Sequence, residues 1–283
     1  MRVVLAGAFG KLGTDVLKVL VNRGYDVVAA DLAIKEIEGL DGYEARSIDV
    51  TKPETLKGLC DGADIVISAV GLTRASTTVT HYDVDLEGNR NLLDEAKRAG
   101  VKKFLYVSVL KANMDPTIPM LDAKYKFEAE LKNSGISYMI FRPTGYHYEV
   151  AKLFMPMVEK GRVNLLGKKD VLANSIDTSD LAAYIVDNMN DSGKTLSVGG
   201  VETYTYAEIA TMFFEAAGKP AEIKCVPAFM FDLQALHAKL RNTGGYAMIK
   251  FSKWTLSNDM VGENRYGQVS MKQYIKNCYC TER

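Results

Sequence analysis

Over the first half of the chain, short apolar runs alternate with amphipathic segments. RVVLAGA, YDVVAAD, ADIVISAVG and VKKFLYVSVL read as strands. Between the first two, Leu12, Val16, Val19 and Leu20 recur on one face of a predicted helix, with Asp15, Lys18, Asn22 and Arg23 turned away and Gly24 ending it. A second helix is predicted over about 84–99. The strand runs are almost continuously Val, Ile, Leu and Ala, as expected of a parallel sheet covered by helices on both faces. The rhythm loosens after ISYMIFRPTGYHYEV, where Pro143 and Gly145 break the strand pattern. We therefore expect a doubly wound α/β domain over 1–150, with a parallel Rossmann sheet of six or seven strands. A smaller α+β substrate region over 151–283 is expected to be partly interleaved with it. In that region Thr205 and Glu208 have capping-box spacing, and Ile209, Met212, Phe213 and Ala216 then share a helical face until Gly218 and Pro220.

Composition narrows the class of ligand. The 283 residues are 47% hydrophobic and 25% charged, as in ordinary globular proteins, with 35 Lys plus Arg balancing 35 Asp plus Glu. That balance gives no electrostatic reason to expect nucleic acid or an anionic membrane as partner, and a small neutral or anionic molecule fits better. The first apolar run is soon broken by glycine, and no segment approaches the ~18 apolar residues of a membrane span, so a cytoplasmic location is expected. Cys60, Cys225, Cys278 and Cys280 are too scattered for a disulfide framework, and with three histidines they predict free thiols and no metal site.

The candidate chemistry lies in VVLAGAFGKLGTDV, where a strand passes into a helix through Gly7, Gly10 and Gly13. The free N–H groups of a helix's first turn, together with the positive end of its dipole, attract phosphate, and glycines let it touch the backbone. In a dinucleotide fingerprint one glycine makes the turn, one admits the pyrophosphate and one lets helix and strand pack closely. Asp31 ends the second strand eighteen residues after Gly13, where a carboxylate receives ribose hydroxyls. It would repel a 2′-phosphate, favouring NAD over NADP unless Lys35 and Arg46 fold near enough to compensate.

With these features the chain resembles the short-chain dehydrogenase/reductase superfamily, in its extended and atypical NmrA-like branches. GAFGKLG is similar to the family glycine motif, which implies cofactor contacts from Gly7, Phe9, Gly10, Lys11, Leu12 and Gly13. SIDVTKPETL resembles the adenine-contacting segment through Asp49 and Val50, and ISAVG resembles the strand end lining the cofactor through Ala69, Val70 and Gly71. FRPTG resembles the loop beside the nicotinamide, which implies contacts from Pro143 and Thr144. VDLEGNRNLLDEAKRAGVKKFLYVS, NSIDTSDLAAYIV and FSKWTLSNDMVGENRYG also resemble family segments, and in the last of these Phe251 and Trp254 either cover a substrate cleft or pack the smaller region, of which packing is expected.

The departure is catalytic. Most of the superfamily uses Tyr-x-x-x-Lys, but in MLDAKYKFEAELKNSG the Lys place falls on Lys124 and the Tyr place on Met120, which cannot transfer a proton. Asp85 stands where the family has a supporting Asn, and Ser108 aligns loosely with its Ser/Thr. In the isoflavone-reductase-like branch a Lys without the Tyr handles the proton, which makes Lys124 and Ser108 the catalytic candidates. The plainer reading of Lys124 is an exposed helix residue paired with Glu128. Tyr146, His147 and Tyr148 follow the Arg-Pro-Thr-Gly loop, where at least one is expected at a cleft mouth. Three functions stay open: an NAD(P)-dependent oxidoreductase acting on a small carbonyl or activated alkene, a non-catalytic NAD(P)-binding sensor or assembly protein, and a nucleotide-sugar epimerase or dehydratase. Oligomeric state is not readable.

Overall fold

The structure, a computed structural model, describes residues 1–72, 76, 78–167, 169–227, 229–241 and 245–280. In chain order the elements are β1 (Arg2–Ala6), α1 (Lys11–Asn22), β2 (Asp26–Asp31), β3 (Tyr43–Ser47), β4 (Ile65–Ser68), a π-helical segment (Tyr82–Gly88) running into α2 (Asn89–Arg98), β5 (Lys103–Val107), α3 (Pro119–Asn133) and β6 (Ser137–Pro143). There follow α4 (His147–Glu159), β7 (Val163–Leu166), β8 (Leu172–Ala173), α5 (Thr178–Asp187), β9 (Lys194–Gly199), β10 (Tyr204–Thr205), α6 (Tyr206–Ala216), β11 (Ile223–Val226), α7 (Phe229–Leu240), α8 (Gly245–Ser257), β12 (Asn264–Arg265) and α9 (Met271–Cys280). The chain forms two compact units, one of Met1–Arg142 with Leu181–Leu196, the other of Pro143–Asp180 with Ser197–Arg283.

The central sheet is Rossmann-like, with strand order β12-β9-β6-β5-β4-β1-β2-β3. Its eight strands exceed the expected six or seven, because β12 has two residues and is too short to carry a periodic signal. Val3 to Ala6 are all buried, since β1 lies between two parallel neighbours: Ala6 pairs with Ala30 of β2 on one side and Ser68 of β4 on the other. β4 pairs with β5, and β5 with β6, in the same sense. Strand order therefore reverses beside β1, which opens a crevice at the carboxyl ends of β1 and β4. On one face Phe104 and Tyr106 of β5 pack with Leu92 and Ala96 of α2 and Phe127 and Leu131 of α3. Phe127 meets Tyr106 edge-on, with ring centroids 4.7 Å apart.

The helix expected over 84–99 is regular only from Asn89. Asn89 donates Nδ2 to the carbonyls of Val84 (3.3 Å) and Asp85 (3.1 Å) while its Oδ1 accepts from Ser68 (2.5 Å), so its side chain joins the wider π turn to the end of β4. Cys60 is buried, and burial pushes its thiol up to about 12, which makes it chemically inert.

In the second unit β7 pairs in parallel with β11 and β8 antiparallel with β10. Thr205 and Glu208 form the capping box of α6, and Phe154 of α4 stacks on Phe213 of α6 at 5.8 Å. Trp254 is half-buried on α8. Among the described residues no helix is long and apolar enough to cross a membrane, and no cluster of three His, Cys, Asp or Glu could hold a metal ion.

His147 opens α4 and is buried. Its Nε2 lies 3.1 Å from the Val269 carbonyl, which can only accept, so Nε2 carries the proton and Nδ1 accepts from the Ser175 hydroxyl at 2.9 Å. Burial lowers the basicity of this imidazole, against smaller opposing effects of its Val269 bond and of Asp177, Asp180 and Glu202. Below pH about 6.5 the unfolded chain takes up a proton that the folded chain still refuses, so the stability this group contributes is complete above that pH and is lost as the pH falls beneath it. Melting temperatures recorded from about pH 8 to about pH 5 should show this acid-side decline, and His147→Asn should flatten it.

Candidate functional site

The turn between β1 and α1 gives each glycine a different duty. Gly7 has φ +78°, the left-handed region, and a Cβ there would lie 2.9 Å from the Ala69 carbonyl carbon and oxygen. Its N–H donates to the Ala30 carbonyl at 2.8 Å. Gly13 sits one turn into the helix, where a Cβ would overlap the Gly7 carbonyl oxygen and come within 2.8 Å of its carbon. These two positions are closed by the protein's own backbone. Gly10, the residue preceding α1, is different: a Cβ there would meet only the Gly7 carbonyl oxygen, at 3.4 Å. Space is open where backbone amides face outward. Among the described residues no side chain caps α1 and no acid occupies its first turn, so the amides of Lys11, Leu12 and Gly13 keep their affinity for an anion. The cradle fits a pyrophosphate. Lys11 is exposed beside it, while Phe9 and Leu12 are buried.

Asp31 closes the adjoining side. Its Oδ2 accepts from the Phe9 N–H at 2.8 Å and its Oδ1 from the Leu32 N–H at 2.7 Å, so the β2 acid is tied to the glycine turn. Each oxygen keeps a lone pair for a further donor. Lys35 reaches the Phe9 carbonyl at 3.3 Å and so stands in the same corner, whereas Arg46 is occupied by Glu44 (3.1 Å) and the Gly58 carbonyl (3.0 Å). Asp49 accepts from the Thr51 N–H (3.1 Å) and hydroxyl (2.7 Å); the hydroxyl bond is the main cause of a carboxyl held below the usual range, opposed by partial burial. Val50 lies under Gly88, where a Cβ would come within 2.7 Å of its Cγ2. Ala69 supplies the backbone against Gly7, the Val70 N–H donates to Ser68 Oγ at 3.3 Å, and Gly71 passes over a buried charge pair.

That pair is Lys124 and Asp85, 3.0 Å apart. A Cβ on Gly71 would lie 3.1 Å from Asp85 Oδ1 and 3.2 Å from Lys124 Nζ. Lys124 is buried and paired with Asp85, against the plainer expectation of an exposed helix residue. Its ammonium also reaches the Val107 carbonyl (3.4 Å) and the Tyr106 hydroxyl (3.5 Å). The second Asp85 oxygen lies 2.8 Å from His81 Nδ1. Burial pushes the Asp85 carboxyl up, but the Lys124 charge and the His81 bond outweigh it and hold the group below the ordinary carboxylate range. Burial also raises the Tyr106 phenol, with Lys124 partly opposing it.

Glu128, one turn further along α3, is wholly buried and forms a two-pronged pair with Arg142: Nη2 to Oε2 at 2.5 Å and Nε to Oε1 at 2.9 Å. Ser108 donates its hydroxyl to the same Oε1 at 2.5 Å. The Ser108 proton is thereby committed to a structural carboxylate. Thr144 belongs to the second unit, where its N–H meets the Val198 carbonyl (3.0 Å) and its hydroxyl the Asn174 carbonyl (2.8 Å); Pro143 ends β6 beside it in the chain. Tyr146 and Tyr148 stack at 5.6 Å. Sequence reasoning missed His81, Tyr106 and the Glu128–Arg142 pair; the available signal was spacing alone, His81 with Asp85 and Lys124 with Glu128 each four apart on a helical turn.

Strand order, glycine turn and strand-end acid define a dinucleotide-binding Rossmann domain. The profile of the NAD(P)H-binding family matches residues 7–192, and the chain belongs to that family. It is 28% identical over 232 residues to the photosystem II assembly factor Ycf39 of Synechocystis sp., covering 80% of this chain and 71% of that protein. It is also 28% identical over 262 residues to the chloroplastic divinyl chlorophyllide a 8-vinyl-reductase of Arabidopsis thaliana, covering 82% of this chain and 61% of that one. In three dimensions it resembles the NADPH-dependent quinone oxidoreductase of Escherichia coli, crystallised with NADPH, with a TM-score of 0.79, 19% identity and coverage of 98% and 99%. That likeness is one of fold.

Gly13→Ala should cost about 1–3 kcal/mol or more in urea unfolding, because the added methyl meets backbone that cannot yield. Cofactor affinity should fall with it, as α1 is pushed off β1.

Proposed function

We propose that the chain is an NAD(P)-dependent oxidoreductase moving a hydride between nicotinamide and a carbonyl or activated double bond of a small molecule, with Lys124 handling the proton. The observation that carries this reading is the buried Asp85–Lys124 pair beneath Gly71, at the carboxyl end of β4. A structural lysine gains little from being drawn into such a site, whereas one that exchanges a proton must be held near the reacting atoms and away from bulk water. A bound reduced nicotinamide supplies the hydride. Asp85 holds and orients the ammonium, and because its other oxygen is bonded to His81, it stays partnered when Lys124 gives up a proton. Tyr106 does not replace the missing family tyrosine, since it is fully buried on β5 and its phenol resists ionisation. Ser108 acts through Glu128, fixing the ends of β5 and β6, and is a positioning residue.

In this reading Gly7, Phe9, Gly10, Lys11, Leu12 and Gly13 receive the pyrophosphate and its flanks, Asp31 the adenosine ribose, Asp49 and Val50 the adenine, and Ala69, Val70, Gly71 and Lys124 the nicotinamide half. Two of the similar proteins are named as a reductase and an oxidoreductase, which supports the class. The smaller region, as expected from sequence, would receive the substrate. A second reading is favoured by Met120 in the tyrosine place and by the similarity to an assembly factor: a protein that binds NAD(P) without turning it over. The epimerase reading leans on the tyrosine this chain lacks.

Oxidation of NADH and NADPH against a panel of ketones, quinones and enones tests the choice. Steady turnover is expected, with Lys124→Met lowering kcat by about 10²-fold or more while cofactor affinity changes far less. Tight cofactor binding with no turnover on any acceptor would replace this reading with the second. Asp31→Ala should weaken NAD by about tenfold and narrow its advantage over NADP; a parent protein that already prefers NADP would sink the assignment of Asp31.

A further inference from the structure

α7 has two apolar faces, one more than its packing uses. Ala235 and Ala238 are buried, with Phe231 on the same side. On another side Phe229, Leu233, Leu236 and Leu240 recur at steps of four, three and four, which at ~100° per residue places all four within an arc of about 60°. They are exposed to 60%, 60%, 52% and 77%, and Met230 beside them to 43%. Four large side chains in one uninterrupted stripe differ from singly scattered surface apolar residues, which need no explanation.

The surroundings of the stripe are positive. Along FMFDLQALHAKLR and GYAMIKFSKWTLS the charged residues are Lys239, Arg241, Lys250 and Lys253 against Asp232, in a chain whose totals balance. Asp232 is bonded to Lys253 at 2.5 Å. The ammonium groups of Lys239 and Lys250 each lie 5.6 Å from the centre of the Tyr246 ring, which gathers the two cations at one place. α8 packs along α7, so these cations belong to one surface.

We propose that the α7–α8 pair docks on the surface of an anionic lipid bilayer, with the α7 stripe in the boundary between headgroups and acyl chains and Lys239, Arg241 and Lys250 at the lipid phosphates. A stripe of straight helix about 16 Å long suits a plane, and it is too short to span the ~30 Å of hydrocarbon, so α7 lies on the membrane and does not cross it. A second copy fits less well. Five side chains of roughly 200 Å² each, a little over half exposed, offer on the order of 500 Å², below the roughly 800 Å² per partner of a stable interface. A two-fold pairing of this face would also set its cations against their own copies. Whole-chain neutrality argued against a membrane partner; the local excess at α7 and α8 reverses that argument for this face alone.

Flotation of the full chain with vesicles tests the proposal. With roughly one third phosphatidylglycerol in phosphatidylcholine the protein should float with the lipid, and binding should fall roughly tenfold or more on pure phosphatidylcholine or in ~0.5 M salt. The double variant Leu233→Glu, Leu236→Glu should lose roughly tenfold or more of the binding, with melting temperature and NAD(P) affinity unchanged, and Leu233→Met, Leu236→Met should retain it. Failure to float at about millimolar lipid, or equal flotation of the glutamate variant, overturns the proposal. A dimer broken by the glutamate variant in the absence of vesicle binding overturns it as well, assigning the stripe to a second copy.

Discussion

The approach of the first turn of α1 to the end of β1 is the constraint from which the remaining geometry follows. Gly7 can turn the chain with positive φ only because it has no side chain to press on the Ala69 carbonyl, and Gly13 lets the helix settle on the Gly7 carbonyl. With both contacts made by bare backbone, the helix N-terminus is held at the sheet edge and its amides face the crevice. Gly10 is then the position beside which space remains. Parallel register carries the arrangement outward: β1 between β2 and β4 puts Asp31 on one side of the turn and Ala69 to Gly71 on the other. A nucleotide site of this kind needs few side chains, because the helix dipole and the orphan amides supply the attraction.

The second organising feature is a pair of buried charges one turn apart on α3. Lys124 faces Asp85, and Glu128 faces Arg142. Desolvating such groups offsets most of their mutual attraction, so neither pair is explained by stability alone. The Glu128 pair has a positional consequence: it binds the end of β6 and the end of β5, through Ser108, to one helix. The Asp85 pair has a chemical one, since it keeps a cation at the carboxyl end of β4 with its counter-ion already bonded on the far side by His81. The π turn makes this possible, carrying His81 and Asp85 into the interior just ahead of α2.

Much of this was legible along the chain. The βα rhythm, the stripe of α1, the glycine triplet, the strand-end Asp31 and the capping box at Thr205 are local signals, each set by periodicity or by a turn that a few neighbouring residues decide. The eighth strand was not, because two residues carry no period. Nor was the π turn, which depends on Asn89 finding Ser68 twenty-one residues earlier. Lys124 and Glu128 looked like a surface pair because four-residue spacing cannot say which way a helix face points. Asp31 was read correctly as the acid ending β2, but its bond to the Phe9 amide depends on two strands having met first.

By itself, then, the sequence determined the class of fold, the place of the glycine turn between β1 and α1, and the strand-end position of Asp31. Those rest on residue types and short-range spacing, which are complete before any long-range contact forms. Tertiary structure decided which charge meets which, that Lys124 is buried against Asp85 and not exposed beside Glu128, and that α7 keeps a leucine stripe in solvent. Each of these is a statement about burial, and burial is a property of the packed chain that no single segment carries.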